Sequence, residues 1–275
     1  MLFIERSHRL GSHPKVPIER QRGRACIVVV LILAGSSCAG GDAGPRLTPE
    51  DKSKAECEIS FWRARRNATQ AWTFPNSNIH PPTIYGNFMT RPFRLTRRAF
   101  AGKKVLDVGC GPTGGLTWLT GIADSVTCAD PLAEEYGKLG NLYNHSIVYV
   151  SSGVERLPFI ANSFDIVTSI NNFDHVSHPR RGLRELRRVL RPQGSLLMIV
   201  EIHPVPTKCE PLMLGWSRFE QEIQSAGFRK TRLLRKIPAA SNGHQGTKVV
   251  LSSSFDQHWE PPGPNSWGYF VGHFS

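Results

Sequence analysis

The feature that most constrains the fold is a glycine-rich turn that directly follows a short apolar run. Residues 103–115 read KKVLDVGCGPTGG. The apolar positions within 105–108 have the pattern of a strand that is buried on both faces, as in a parallel sheet. The glycines that follow allow a sharp turn and let a ligand approach the backbone closely. We expect a helix to start within 116–122, with its N-terminal N–H groups facing that ligand.

An acid lies inside the apolar run. Asp107 interrupts VLDV, and burying a carboxylate is costly unless something binds it. The spacing of Gly109, Gly111 and Gly114 fits a dinucleotide-binding fingerprint. A glycine-rich turn that binds no ligand is the alternative for this motif taken alone.

A second acid lies where a neighbouring strand should end. Residues 125–130 read SVTCAD, and Asp130 is their last residue. Ligands of open α/β sheets bind at the carboxyl ends of strands, and a carboxylate there can accept hydrogen bonds from two ribose hydroxyls. Capping of a helix that begins near Pro131 is the alternative role for Asp130.

The rest of the chain alternates predicted strands and helices. Further strands are expected at 147–151, 164–170 and 195–202, with an amphipathic helix over 183–190. A last helix over 219–228 precedes a hairpin of two strands, 228–237 and 247–253. The pattern predicts an α/β fold with a doubly wound, Rossmann-like, seven-stranded sheet. The sheet should be mostly parallel with an antiparallel last strand.

Several ordered motifs resemble one known family. VLDVGCG is similar to the first motif of class I S-adenosylmethionine (SAM) methyltransferases. The later motifs ERLPF (155–159), NSFDIV (162–167), HV (175–176) and RVLRPQG (188–194) follow in the order of the type 11 methyltransferase family. The resemblance covers 105–202 of the 275 residues. It implies the class I methyltransferase fold, SAM as cofactor and transfer of a methyl group.

The resemblance also implies the cofactor residues. Asp107 would face the methionine end of SAM, the glycine turn would pass beneath its sugar, and Asp130 would bind the ribose. The complete expected set is Asp107, Gly109, Cys110, Gly111, Gly114, Asp130, Pro131, Gly153, Val154, Glu155 and Asn171.

Two positions depart from the family pattern. Gly153 stands where the family has an acid that binds the adenine amino group, so adenine contact would rest on the backbone near Val154 and on apolar side chains such as Leu157. Gln193 replaces the first glycine of the family's Pro-Gly-Gly turn.

The methyl acceptor is expected at the ends of the fourth and fifth strands. Asp174, His175 and His203 lie there, and histidine has a suitable pKa for removing a proton from a hydroxyl acceptor. Loop packing is the alternative role for each histidine. The motif of enzymes that methylate adenine or glutamine amino groups is absent. We therefore expect a small-molecule or glycan-type acceptor.

Net charge leaves other partners open. The formal charge is +12 and the pI is near 9.8, which permits an acidic partner but does not require one. An RNA-directed methyltransferase is one alternative function. A catalytically silent SAM-binding scaffold is another, suggested by Gly153. No CxxC pair is present among the six cysteines, so we expect neither a metal site nor a disulfide framework.

The N-terminal residues differ from the rest. Residues 1–24 are basic, 25–34 read ACIVVVLILA, and small residues follow, which is the layout of a secretory signal peptide. Since SAM is a cytosolic cofactor, we expect a cytoplasmic protein, with 1–47 as an upstream extension. An anchor on the cytosolic side that contacts the membrane through 25–34 is the alternative.

Three further segments complete the predicted organisation. The region 48–100 should be a helical lid or substrate segment, 101–254 the SAM-binding domain and 255–275 a C-terminal tail. A helix should begin with Thr48 as its cap and Pro49 in its first turn. Tyr85 is the candidate lid residue, with packing of the lid onto the core as its alternative role.

Overall fold

The computed structural model describes residues 49–69, 81–112, 115–139, 147–203, 205–207, 209–210, 212–238 and 268–275. The helices are α1 (Pro49–Thr69), α2 (Pro81–Thr90), α3 (Ala133–Lys138), α4 (Pro179–Val189) and α5 (Trp216–Ser225). The strands are β1 (Lys104–Val108), β2 (Ser125–Asp130), β3 (Ile147–Ser151), β4 (Phe164–Ile170), β5 (Leu190–Ile202), β6 (Lys230–Pro238) and β7 (Gly268–Phe274).

The strands form one sheet in the order β3-β2-β1-β4-β5-β7-β6. All pairs from β3 to β5 are parallel, and β7 runs antiparallel to both β5 and β6. The first strand, β1, is inside the sheet. The next two strands add outward from it to β3, and the chain then returns to place β4 on the opposite side of β1. The predicted doubly wound, seven-stranded sheet with an antiparallel last strand is confirmed.

Apolar layers cover both faces of the sheet. Because neighbouring residues of a strand point to opposite faces, Val105 and Leu106 of β1 belong to different core clusters. The Leu106 cluster includes the apolar stripes of α4 and α5. The Val105 cluster includes α2 and a 3₁₀ helix over Gly115–Leu119. Both faces of the central strands are therefore buried, as their continuous apolar runs predict.

The segment after the glycine turn differs from its prediction. In place of a helix over 116–122, the chain forms only the 3₁₀ helix Gly115–Leu119. Gly115 packs so closely on Tyr85 that a Cβ atom there would lie 2.6 Å from the Tyr85 ring. The predicted helix with its N-terminal N–H groups facing the ligand is therefore wrong. Side chains and the loop backbone define this part of the site.

The C-terminal segment is also corrected. Residues 255–275 were expected to be a tail, but 268–274 form β7 in the interior of the sheet. Its residues are buried on both faces, so the sequence GYFVGHF shows no alternation of polar and apolar positions. The strand expected at 247–253 lies outside the described residues.

Two disulfides contradict the expectation drawn from cysteine spacing. Cys57 of α1 is bonded to Cys209, and Cys110 of the glycine turn is bonded to Cys128 of β2. Their sequence separations are 152 and 18 residues, so neither pair has the short spacing that identifies a cysteine motif.

Candidate cofactor and acceptor site

The candidate site lies at one edge of the sheet. Strands β1, β2, β4 and β5 are parallel, so their carboxyl ends meet at this edge. Asp130, the last residue of β2, and His203, which directly follows β5, lie at this edge. The loop after β4 adds Asn171, Asp174 and His175. The structure thus brings together the predicted cofactor acids and the predicted acceptor residues.

The glycine turn is held by side chains from the next loop. Gly109 and Gly111 have φ values of +69° and +61°, which favour glycine. A Cβ atom on Gly109 would lie 2.4 Å from the amide nitrogen of Asn172. That amide donates hydrogen bonds to the carbonyls of Val108 and Gly109, and Ser169 donates to its oxygen. Asn172 is a site residue that sequence reasoning missed, and Gly114 lies outside the described residues.

Asp130 has both carboxylate oxygens occupied by backbone donors. The N–H of Gly111 donates to Oδ2 at 3.0 Å, and the N–H of Leu132 donates to Oδ1 at 2.9 Å. Burial raises the pKa of Asp130, while these two hydrogen bonds lower it. The bond to Leu132 closes a local turn two residues on, but the N-cap of α3 is Leu132, so Asp130 does not cap that helix. The bond to Gly111 fixes the glycine turn.

Asp107 is fully buried in the middle of the sheet. Tyr85 donates to its Oδ2 at 2.7 Å, and Thr168 donates to its Oδ1 at 2.5 Å. Burial raises the pKa of Asp107 to about 7, against the lowering effect of these hydrogen bonds. Tyr85, the predicted lid residue, is itself buried and reaches the site only through its hydroxyl. It packs on the core, as its alternative role predicted.

The other residues of the predicted cofactor set lie at or just beyond the ends of β2, β3 and β4. Val154 is buried, whereas Asn171 is exposed with a φ of +53°. The Oε1 atom of Glu155 accepts the backbone N–H groups of Ser177 and His178, so this side chain ties its turn to the loop after β4. Gly153 caps the same turn in extended conformation. Pro131, at the end of β2, is exposed and accepts a hydrogen bond from Ser151.

The acceptor side contains a buried carboxylate without hydrogen bonds. Asp174 is fully buried, and within the described ranges neither of its side-chain oxygens has a hydrogen-bond partner. Burial raises its pKa, and the neighbouring His175 and His203 lower it. The nearest opposite charge is His175, whose Nε2 lies 3.8 Å from Oδ2. Such an acid can stabilise a protonated imidazole or accept a donor from a ligand.

His175 lies among three acids from separate segments. Its Nε2 is 3.8 Å from Glu210 as well as from Asp174, and its Nδ1 is 3.9 Å from Glu58. The Nδ1 atom also lies 3.0 Å from the carbonyl oxygen of Cys209. Burial lowers the pKa of His175, but the three carboxylates outweigh it and bring the pKa above its ordinary value.

His203 lies beside this group rather than in its centre. It is almost fully buried, its Nδ1 is 2.8 Å from the carbonyl of Val205, and its Nε2 is 4.0 Å from Glu210. Farther back, Tyr269 of β7 donates to Glu201 at 3.2 Å. Burial and the neighbouring acids raise the pKa of Glu201 to about 7.

One set of donors could hold a metal ion. Single ligand atoms of Asp174, His175 and Glu210 all lie within 4.8 Å of one another. Imidazole nitrogen with carboxylate oxygens is a donor set that divalent cations accept. Cysteine spacing could not indicate this group, because it contains no cysteine and its members come from two loops.

Helix α1 covers both halves of the edge. Glu58 lies against His175. One turn later, the Trp62 ring lies 3.9 Å from the position of a Cβ atom on Gly111. Trp62 donates to Glu58 at 2.6 Å, which links the two contacts. Sequence reasoning missed both residues. The four-residue spacing of Lys54, Glu58 and Trp62, which puts them on one face of a predicted helix, is the sequence pattern that could have indicated them.

Comparison with known families supports the motif assignment. A family described as "Methyltransferase domain" matches residues 106–198. The match starts within β1 and ends within β5, so it contains the glycine turn, Asp130 and the loop after β4. It leaves out α1, Glu210 and β7.

Curated relatives match a similar part of the chain. A mitochondrial ubiquinone biosynthesis O-methyltransferase from Schizosaccharomyces pombe is 37% identical over 122 residues, which are 41% of this chain and 42% of the relative. A ubiquinone/menaquinone biosynthesis C-methyltransferase from Hahella chejuensis is 39% identical over 108 residues, 36% of this chain and 43% of the relative. The chain therefore matches less than half the length of either relative.

Solved structures support the fold. A [4+2]-cyclase has a TM-score of 0.52 at 15% identity, covering 80% of this chain and 96% of the cyclase. A phosphoethanolamine N-methyltransferase from Haemonchus contortus, solved with phosphomonomethylethanolamine and S-adenosylhomocysteine, has a TM-score of 0.50 at 14% identity, covering 69% and 51%. In the part of the chain that the structure describes, no helix combines the length and apolarity needed to cross a bilayer.

Proposed function

Residues 106–198 match the methyltransferase domain family, and from this premise we propose that the protein transfers a methyl group from SAM to a small-molecule acceptor. One observation carries the proposal. Asp130, at the end of β2, accepts the N–H of Gly111 and so joins the second strand to the glycine turn. This places a carboxylate beside a backbone that a ligand can approach closely.

The residues present fit SAM. Asp107 lies deepest, and its carboxylate, held by Tyr85 and Thr168, suits the ammonium of the methionine end. Asp130 suits the ribose hydroxyls. With Gly153 in place of an acid, adenine would be held by apolar contact near Val154 and by backbone groups. When bound, SAM supplies an electrophilic methyl group.

The protein's own part in the reaction is to orient the acceptor and remove a proton. His175 would take the proton from an acceptor hydroxyl. That oxygen would bond to the methyl carbon as the bond from this carbon to the sulfur of SAM breaks, leaving S-adenosylhomocysteine. Asp174, 3.8 Å from Nε2, would stabilise the imidazolium that results. A hydroxyl acceptor is also in keeping with the name of the Schizosaccharomyces pombe relative, an O-methyltransferase of ubiquinone biosynthesis. His203 would shape the pocket.

Two observations point to different cellular compartments for the protein. SAM is a cytosolic cofactor, which favours the cytosolic side. Two disulfides favour an oxidising compartment. We propose a cytoplasmic protein whose disulfides are formed in the folded chain. Mass spectrometry after alkylation of the protein in freshly lysed cells should find Cys57 and Cys209 protected from the reagent.

Methyl transfer is tested with SAM that carries a radiolabelled methyl group, offered to small phenols and catechols and, separately, to RNA. The proposal predicts label in the small molecules and a loss of transfer in the His175→Ala variant. Label in RNA alone would favour the RNA-directed alternative. Tight SAM binding without transfer to any acceptor in cell extracts would favour the silent scaffold.

A further inference from the structure

One face of α1 makes a continuous set of polar contacts with the loop after β4. Lys54 donates to the carbonyl of His175 at 3.2 Å and to the hydroxyl of Ser177. Ser177 in turn donates to Asp51 at 2.8 Å. One turn further along, Glu58 lies 3.9 Å from the His175 ring. This face of the helix therefore forms one wall around His175.

The opposite wall is the segment after β5. The carbonyl oxygen of Cys209 lies 3.0 Å from Nδ1 of His175, and the carboxylate of Glu210 lies 3.8 Å from Nε2. The backbone of Glu210 is held in a turn, because its carbonyl oxygen accepts the backbone N–H of Thr207 at 2.9 Å. Both walls thus present a carboxylate to the same imidazole.

A single covalent bond joins these walls. Cys57 precedes Glu58 in α1, Cys209 precedes Glu210 in the loop, and the two cysteines form a disulfide. The residues that follow the two half-cystines are therefore the two acids that flank His175. The hydrogen bonds between α1 and the loop after β4 lie at part-buried or exposed positions, and polar contacts at such positions hold a helix weakly in water.

We propose that the Cys57–Cys209 disulfide is a positioning device for the acceptor side. It holds Glu58 and Glu210 on opposite sides of His175, and without it α1 separates from Cys209 and Glu210. This inference rests on the proposed function, because the group that the disulfide positions, His175, is the proposed base. Neither cysteine is among the residues assigned to the cofactor or to the acceptor, so the disulfide would act through its neighbours Glu58 and Glu210.

The test compares the full-length protein with Cys57→Ser, Cys209→Ser and the double variant. Hydrogen exchange is followed by mass spectrometry in α1 and in 173–178. The proposal predicts exchange at least about tenfold faster in both segments for all three variants, because the bond no longer restrains their local opening. The double variant should match the single variants, because each single change already removes the bond. Glu56→Gln, on the exposed side of α1, is the matched control and should leave exchange unchanged.

A second measurement tests the proposal without a substitution, in case the cysteine variants do not fold. Cys57 and Cys209 are half-buried, whereas Cys110 and Cys128 are buried. Limited treatment of the folded protein with a phosphine should therefore reduce the first pair first. The phosphine becomes its oxide with water, and each sulfur receives one electron and one proton. Exchange in 173–178 should rise as the Cys57 and Cys209 thiols appear.

The two possible failures are distinguishable. Titration with S-adenosylhomocysteine should show that the Cys57→Ser variant still binds the cofactor product, because Asp107, Asp130 and the glycine turn lie outside α1. Unchanged exchange after loss of the bond, with cofactor binding intact, would overturn the positioning role alone. Absence of cofactor binding by the unchanged protein would overturn the proposed function instead. With a labelled catechol as acceptor, loss of the bond should lower turnover by a larger factor than it raises the KM for SAM.

Discussion

The two halves of the site differ in how their acids are satisfied. On the cofactor side, Asp107 and Asp130 each have both carboxylate oxygens in hydrogen bonds of 2.5–3.0 Å. On the acceptor side, Asp174 has no side-chain hydrogen bond among the described residues. The carboxylates around His175 lie at 3.8–3.9 Å from its nitrogens, beyond hydrogen-bond distance.

This difference indicates how the halves would work. A carboxylate with both oxygens held is pre-organised, so it can bind a ligand of fixed shape without rearrangement. A buried carboxylate with open oxygens has capacity left for a donor or a cation. The cofactor side lies within the residues that match the methyltransferase domain, apart from Tyr85. The acceptor side draws Glu58 and Glu210 from outside them.

The largest effect is expected from His175→Ala. If His175 is the base for a hydroxyl acceptor, turnover should fall by about 10²- to 10⁴-fold while SAM affinity is unchanged. Because its pKa is raised above 6.5 and only the neutral ring accepts a proton, the rate should increase with pH through that pKa. The variant should lose this dependence. His178→Ala, an exposed histidine three residues away, is the control for initial-rate measurements from pH 5.5 to 9.

A small decrease confined to the acceptor's KM would instead assign His175 to pocket shape. A variant that binds SAM poorly but turns over normally at saturation would contradict both roles, and would move the acceptor site toward His203.

Asp130→Ala should produce the next largest effect. It removes the proposed hydrogen bonds to ribose, each worth about 1.5–3 kcal/mol, and releases Gly111 from β2. SAM affinity should fall at least about tenfold in calorimetry. Asp124→Ala, in the exposed turn before β2, should bind normally. Equal affinity of the Asp130→Ala variant and the unchanged protein would remove the ribose assignment.

Tyr85→Phe should have a smaller effect that depends on pH. The hydroxyl lowers the pKa of Asp107, which is about 7, so its removal should leave more of the carboxyl protonated near neutrality. Protonated Asp107 binds an ammonium less well. SAM affinity at pH 7 should therefore fall by about two- to tenfold and recover as the pH rises to 9. A loss of affinity that is the same at pH 6 and pH 9 would show that the ring's packing, rather than its hydroxyl, supports the site.

The smallest effect is expected outside both halves. Gln193 has a φ of +63° in the turn of β5, a conformation that costs a side-chain-bearing residue roughly 1–2 kcal/mol. Gln193→Gly should raise the free energy of unfolding by about 1 kcal/mol. SAM affinity should be unchanged. Urea denaturation checks the first expectation, and a decrease in stability would show that the Gln193 side chain makes contacts that outweigh the strain.

Much of the cofactor side could be predicted from the sequence. The bounds of β2, β3 and β4 are those that the apolar runs indicated, and Asp130 lies at its strand end as expected. Thr168 and Asn172 were missed because their partners, Asp107 and Gly109, become neighbours only through the pairing of β1 with β4. No local pattern signals such a contact.

The acceptor side was harder to predict for a similar reason. Glu58 and Glu210 are separated by more than half of the chain, and the disulfide beside them joins residues 152 positions apart. Strand β7 was missed because it is buried on both faces and carries no alternation. Sequence patterns report periodicity and short spacing, whereas these features depend on how distant segments pack.

The most direct test of the account is a calorimetric titration of S-adenosylhomocysteine into three proteins: the unchanged chain, Asp130→Ala and His175→Ala. The account predicts one molecule bound per chain, affinity weakened at least about tenfold in Asp130→Ala and affinity unaltered in His175→Ala. Absence of binding by the unchanged protein, or equal weakening in both variants, would contradict a site divided into a cofactor half and an acceptor half.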